Sequence, residues 1–331
     1  MSIEVLKPGA LSLLQDLGRY GWQHFGVVVG GAMDEWSHRC ANALLGNVED
    51  EATLEVTLMG PSLVFREPQV IALCGANLSA RIGEADVPLN RALLVRAGAR
   101  LDFGKRIDGM RAYLAVRGGF AVSPVMDSRS TYVRGALGGF QGRALKKGDV
   151  LEIASAGVAA AELARLGERD FIALHRPDVV APLCAPQTSG HVRVTAGQQW
   201  DLFTEASQNA FTQTDFTISP QSDRMGFRLE GPVLERRHPM EMISEGVAFG
   251  TVQVPPNGQP IVLMADRQTT GGYPKIACVA SVDLPLLAQL APQQALRFEP
   301  ISLEAAQGLY LDRERALAQL RAMVRSAEAA S

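Results

Sequence analysis

Residues 54–61 read Leu54-Glu55-Val56-Thr57-Leu58-Met59-Gly60-Pro61. Apolar and polar side chains alternate over the first five positions, the period of a strand with one face on a core, and Gly60-Pro61 punctuates it. Further strand-length segments follow. Val70 to Cys74, Ala92 to Val95 and Tyr113 to Val116 are apolar runs of strand length, separated by segments containing Gly or Pro. The 32 glycines and 18 prolines are spread along the chain instead of forming one linker. Short strands at this spacing predict a mainly β sandwich or barrel with a few helices, not a doubly wound sheet. One early helix stands out. Asp34 suits an N-cap, and Trp36, Cys40, Ala43 and Leu44 fall near one face before Gly46-Asn47 ends it.

At 331 residues the chain has room for roughly two domains. An alanine-rich stretch, Ile153 to Leu166, predicts a connecting helix, and the turn-forming segment 181–190 follows. The reading places one domain at 1–185, a second at 186–304 and a terminal helix at 305–331. Strands are expected at His191 to Ala196, Gln259 to Ala265, Ile276 to Val279 and Leu296 to Glu299. Leu317, Leu320 and Val324 give the last helix its apolar face. Gln15-Asp16-Leu17-Gly18-Arg19-Tyr20-Gly21 loosely echoes Gln221-Ser222-Asp223-Arg224-Met225-Gly226. Two similar barrels in tandem would produce that echo.

Composition narrows the partners. Lys and Arg number 32 against 35 Asp and Glu, and no basic block offers an electrostatic footprint for nucleic acid. Met1 to Ala10 shows no charged segment followed by an apolar one, so no secretory signal is predicted. The apolar runs are too short for a membrane span. Cys40, Cys74, Cys184 and Cys278 are dispersed, without a CxxC pair, which suits reduced cysteines in a cytoplasmic protein.

Common catalytic signatures are missing. Gly98 and Gly104-Lys105-Arg106 approach a phosphate loop, but the spacing is one residue too long and Arg106 stands where Ser or Thr would bind magnesium. No GxSxG elbow precedes a helix. His24, His38, His175, His191 and His238 show no HExxH spacing, and His38 with Cys40 lacks further ligands, so no metal is expected.

Three segments concentrate polar residues beside glycine. The first joins Gln15, Asp16 and Arg19 to Asp34 and Asn42, unless Asp16 and Arg19 only tie down a turn and Asp34 only caps its helix. The second holds Arg224, whose fork suits a carboxylate, with Glu245 and Gln253 downstream. An internal salt bridge to Asp223 or Glu245 is the plain alternative. The third runs from the strand Ile261 to Ala265 into Asp266-Arg267-Gln268-Thr269-Thr270-Gly271-Gly272-Tyr273-Pro274-Lys275. Its amides form an anion-binding concavity to which Lys275 adds a charge. The alternative is a hairpin in which Gly271-Gly272 supplies positive φ. A loop lysine is normally solvated, so replacing Lys275 is expected to change stability little. Asp266→Asn is expected to leave folding intact.

These segments, with Gly31-Ala32-Met33-Asp34, Ser128-Arg129-Ser130-Thr131, Gly138-Gly139, Gly142-Arg143 and Gln253-Val254-Pro255, resemble the allophanate hydrolase subunit 2 family, or biotin-dependent carboxyltransferase family. The likeness covers about residues 3 to 306. One departure is Asp127, where the family usually has glycine; it implies a changed turn or altered pocket charge.

The resemblance implies two tandem cyclophilin-like β-barrel domains. It also implies a subunit of an ATP-dependent 5-oxoprolinase that hydrolyses 5-oxoproline to glutamate beside a KipI-like subunit and a LamB/YcsF-like subunit. Two alternatives remain: a biotin-dependent carboxyltransferase acting on urea or another amide, or a KipA-like regulator that antagonises a KipI-like inhibitor. The chain carries no Met-Lys-Met biotin attachment site and no ATP-grasp-like loop. ATP therefore belongs to the complex, and biotin in the alternative rides on another chain. Activating a lactam requires a seat for the substrate carboxylate and stabilisation of charge on the amide oxygen. Asp266, Lys275 and Glu245 are the catalytic candidates. Arg224, Gln253, Gln268, Thr269, Thr270, Gly271, Gly272, Tyr273, Gln15, Asp16, Arg19, Asp34 and Asn42 are the substrate-binding candidates.

Overall fold

A computed structural model describes residues 1–154, 157–174, 191–238 and 242–329. The segment 181–190, His175 and Cys184 lie outside the described residues. Contacts divide the chain into two compact units that are not continuous in sequence. One comprises Met1–Gly18, Asp34–Pro186 and Glu314–Ser331; the other comprises Arg19–Met33 and Gln187–Arg313.

In the first unit the described strands form two six-stranded sheets. One runs in the order Val150–Glu152, Ser2–Lys7, Ser62–Phe65, Arg100–Asp102, Arg81–Ile82, Ala85–Asp86. The other runs Phe171–Ala173, Ala92–Val95, Gln69–Asn77, Asp108–Val116, Thr53–Thr57, Leu11–Gln15. One core joins them: Ile3, Val5, Leu63 and Phe65 from the first sheet meet Leu54, Val56, Leu73 and Leu114 from the second. Alternation along residues 54–58 thus assigns Leu54 and Val56 to the core as expected.

The polar face of that strand is buried as well. Glu55 is 1% exposed. The helix Glu35–Leu44 packs on the strands Thr53–Thr57, Gln69–Asn77 and Asp108–Val116, so this sheet is covered on both faces. Glu55 is satisfied from the neighbouring strand, where Tyr113 is its register partner and donates its hydroxyl to the carboxylate at 2.7 Å. The same hydroxyl accepts the Asp34 N–H at 2.8 Å. Asp34 caps the helix as expected, accepting from the Ser37 N–H at 2.8 Å. Among the described residues of the alanine-rich stretch, Ala160–Leu166 is helical, and Ile153 is bridged to Phe120 in extended conformation.

The second unit is built on a closed barrel. Its order is His191–Ala196, Lys275–Val279, Thr251–Gln253, Ile261–Leu263, Gly226–Glu230, Phe216–Ile218, Ala295–Pro300, with the last strand returning parallel to the first. Phe211, from the helix Glu205–Gln213, stacks on Phe298 at 4.4 Å between ring centres and plugs the apolar interior. A two-stranded ribbon, Glu245–Gly246 paired with Thr270–Gly271, forms a separate small sheet.

The terminal helix, Leu303–Ala329, buries Leu317, Leu320 and Val324. No helix among the described residues is long and apolar enough to cross a membrane.

Candidate functional site

The two echoing segments share a device. Asp16 Oδ1 accepts the Gly18 N–H at 2.8 Å, and Asp223 Oδ1 accepts the Met225 N–H at 2.8 Å. Each aspartate folds the backbone two residues ahead into an Asx turn.

In the first unit Asp16 is 1% exposed, and it is tied to Ser128-Arg129-Ser130. It accepts from the Ser128 hydroxyl at 2.8 Å, from the Ser130 hydroxyl and from the Arg129 N–H. Gln15 donates to the Thr131 carbonyl at 3.0 Å, and Thr131 donates back to the Leu14 carbonyl at 2.9 Å. Asn42 donates to the Glu51 carbonyl at 2.7 Å and accepts from Asn47 at 3.0 Å. Four of the sequence candidates, Gln15, Asp16, Asn42 and Asp34, are therefore buried and engaged in holding loops together. The partners Ser128 and Ser130 lie more than a hundred residues from Asp16, beyond any local signal.

Two carboxylates at the edge of this network carry no sequence signal of their own. Burial raises Asp50, helped by the nearby Asp16 charge; burial also raises Glu51, opposed by Arg129. His38 is committed internally, with Nδ1 2.8 Å from the Thr53 hydroxyl and Nε2 3.0 Å from the Glu49 carbonyl. Among the described residues no group of three or more His, Cys, Asp or Glu side chains is gathered to hold a metal. Cys40 and Cys74 are buried, and Cys278 is partly so.

The turn at Asp127 explains how the departure from glycine is absorbed. Met126 and Asp127 both have positive φ, 53° and 61°. Val125 and Ser128 close the turn with N–H to carbonyl bonds of 2.8 and 3.3 Å. Glycine meets this demand without strain, and aspartate is among the residues that tolerate it best.

In the second unit the candidates resolve into two ion pairs. Arg224 grips Asp266 with Nε and Nη2, each 3.0 Å from a different carboxylate oxygen, and Nη2 also reaches the Gly31 carbonyl at 2.6 Å. Arg224 is 8% exposed and Asp266 6%. Asp266 is thus an internal partner of Arg224 that the sequence reading did not name.

The second pair is Lys275 Nζ to Glu245 Oε2 at 2.5 Å. Here the expectation of a solvated loop lysine is corrected. Lys275 opens the strand Lys275–Val279, and its side chain is 10% exposed, whereas that of Glu245 is 46% exposed. The barrel holds the Lys275 backbone through Gln199, whose Oε1 accepts the Lys275 N–H at 3.1 Å. Nothing in the sequence around Gln199 signals that contact.

Gly271 and Gly272 are not at positive φ, so the simple turn explanation for them falls. Gly271 answers a close approach instead: a Cβ there would lie 2.5 Å from Gln253 Nε2. Gln253 is buried beneath the loop and donates to the Tyr273 carbonyl at 3.4 Å. Among the described residues the Gly272 and Tyr273 N–H groups donate to no protein acceptor. Gln268 and Thr269 are half-buried, and Thr270 and Tyr273 are exposed. Arg19 lies in the second unit, fully buried, with its N–H on the Val29 carbonyl at 2.7 Å. The loop end thus offers one ammonium, two unused amides and a carboxylate on a ribbon above them.

A closed barrel bearing this loop, and a two-sheet unit pinned by Ser128 to Thr131, together define a carboxyltransferase-type chain. Residues 25–300 match the family described as carboxyltransferase domain, subdomain A and B, and the chain belongs to that family. It is 37% identical over 322 residues to the 5-oxoprolinase C subunit of Haemophilus influenzae, covering 97% of this chain and 98% of that protein. The protein of the same name from Escherichia coli is 38% identical over 318 residues, covering 96% and 97%. The solved urea carboxylase of Kluyveromyces lactis superposes with a TM-score of 0.86 at 32% identity, over 96% of this chain but 29% of that one.

Proposed function

We propose that this chain is the C subunit of an ATP-dependent 5-oxoprolinase and binds the lactam substrate at the Asp266 to Lys275 loop. The observation that carries the reading is the end-to-end likeness to two proteins named as C subunits of 5-oxoprolinase, covering nearly the whole of each. In the longer urea carboxylase chain the matching region is a minority piece, which makes the carboxyltransferase reading the second one.

The geometry supports a seat for a small anionic amide. Lys275 supplies a fixed positive charge, since Gln199 holds its backbone on the barrel. The Gly272 and Tyr273 amides, three and two residues before Lys275, are donors of a kind suited to a carboxylate or to charge developing on an amide oxygen. Arg224 and Asp266 neutralise each other and fix the start of the loop. Their role in this reading is positioning, so Asp266 is not the group that moves a proton. Glu245, nearly half exposed, is the carboxylate available to do so at the seat.

ATP chemistry is assigned to the complex. The segment Gly104-Lys105-Arg106 joins the strand Arg100–Asp102 to the strand Asp108–Val116, so no helix N-terminus is present there to receive a phosphate. We assign the remaining machinery to a KipI-like and a LamB/YcsF-like protein. Purified alone, the chain is expected to show no ATP-dependent conversion of 5-oxoproline to glutamate, and adding both partners should restore it. Full turnover by this chain alone would overturn the subunit reading.

A further inference from the structure

Building on the oxoprolinase reading, we infer that Glu245 is an internal stand-in for the substrate's carboxylate: it occupies the seat at Lys275 and a small carboxylate-bearing lactam displaces it. Three observations carry this. The Lys275 side chain is nearly buried, and the Glu245 carboxylate lies 2.5 Å from its Nζ. That carboxylate is itself almost half open to water, so it can leave its partner and be hydrated. Finally, Glu245 sits on a ribbon only two residues long on each side, outside the barrel hydrogen bonding, whereas Lys275 is fixed in the barrel wall.

The asymmetry assigns the moving part. Arg224 and Asp266, by contrast, are both buried and joined by two hydrogen bonds, so nothing from solvent can replace either partner. Glu245 thereby sets specificity as well. A lactam without a carboxylate leaves Lys275 to Glu245 and gains only the loop amides, while one with a carboxylate exchanges like for like at the ammonium.

The test is acylation of Lys275 by acetic anhydride in the reconstituted complex, read by mass spectrometry of the peptide that contains it. Wild type is compared with Glu245→Gln, and Glu245→Ala serves as a second variant. Both variants are expected to label Lys275 several-fold faster. Added 5-oxoproline should protect it at concentrations about tenfold lower than in wild type, and 2-pyrrolidinone, which lacks the carboxylate, should protect poorly. Unchanged labelling in both folded variants would overturn the inference, whatever turnover the complex shows. So would equal protection by 2-pyrrolidinone. Faster labelling without protection by 5-oxoproline in any of the proteins would leave the masking by Glu245 standing and reject 5-oxoproline as the occupant.

Discussion

Arg224 and Asp266 are joined twice over: two side-chain hydrogen bonds of 3.0 Å link them, and the Asp266 N–H donates to the Arg224 carbonyl at 2.8 Å. The pair therefore locks the turn after Asp223 to the start of the Asp266 to Lys275 loop, and both side chains are buried while they do so.

Asp266→Asn should consequently destabilise the protein, contrary to the sequence-based expectation of intact folding. Removing one member of a buried pair leaves the other charge uncompensated and costs about 3–5 kcal/mol. Urea unfolding should show a large drop in midpoint. A double replacement, Arg224→Met with Asp266→Leu, should recover much of the loss. An unchanged midpoint for Asp266→Asn would show that the pair contributes nothing.

Lys275→Ala separates binding from folding. Its partner Glu245 is open enough to be hydrated once alone, so the melting temperature should fall less than for Asp266→Asn. Loss of a charge-assisted hydrogen bond to substrate, worth about 1.5–3 kcal/mol, corresponds to about a 10- to 150-fold loss in kcat/KM of the reconstituted complex. Near wild-type kinetics would remove this loop from the substrate site.

Stability should fall on mild acidification through His38. Burial lowers its pKa from 6.5 to about 4 in the folded chain. Above pH 6.5 neither state holds the proton; below it the unfolded chain binds a proton that the folded chain refuses. Stability is therefore lost as pH falls from about 6.5 toward 4. Between pH 7 and pH 5 the loss from this group is about 2 kcal/mol. Urea midpoints of wild type and His38→Gln at both pH values test it: the variant, weaker at pH 7, should lose less on acidification.

Asp127→Gly should stabilise the protein slightly. A left-handed conformation costs a residue with a Cβ about 1–2 kcal/mol, less for aspartate, while glycine's freedom in the unfolded chain takes back about 0.4–1 kcal/mol. A net gain of about 0.5 kcal/mol should raise the urea midpoint measurably. A lower midpoint would mean that the aspartate side chain makes contacts that outweigh the backbone strain.

Much of the architecture was legible because burial leaves a period in the sequence. The strand at Thr53–Thr57, the helix capped by Asp34 and the strand at His191–Ala196 all carry that mark. Periodicity could not tell that Glu55 is buried, because the residues covering it, Tyr113 and the helix Glu35–Leu44, are decided by topology. The site was legible in its chemical types and obscure in its pairings. Asp266, Lys275, Arg224 and Glu245 stood out as charges beside glycine. Which carboxylate meets which cation depends on strand order, and Gln199 beneath Lys275 arrives from another strand's end. Gly271 misled for a related reason: a glycine needed for close packing looks the same in sequence as one needed for a turn.

The terminal helix has a practical consequence for shortening the chain. Arg39 is 9% exposed and is held at both terminal guanidinium nitrogens by Glu314, at 2.7 and 2.6 Å, while Arg321 reaches back to Glu49 at 3.1 Å. Trimming from Glu314 onward would strip Arg39 of that two-point grip and discard Leu317, Leu320 and Val324 from their buried seats. The apolar surface left behind is self-adhesive, so light scattering of the trimmed protein should rise with concentration well before its circular dichroism reports unfolding. A solubility tag belongs after this helix, never in its place.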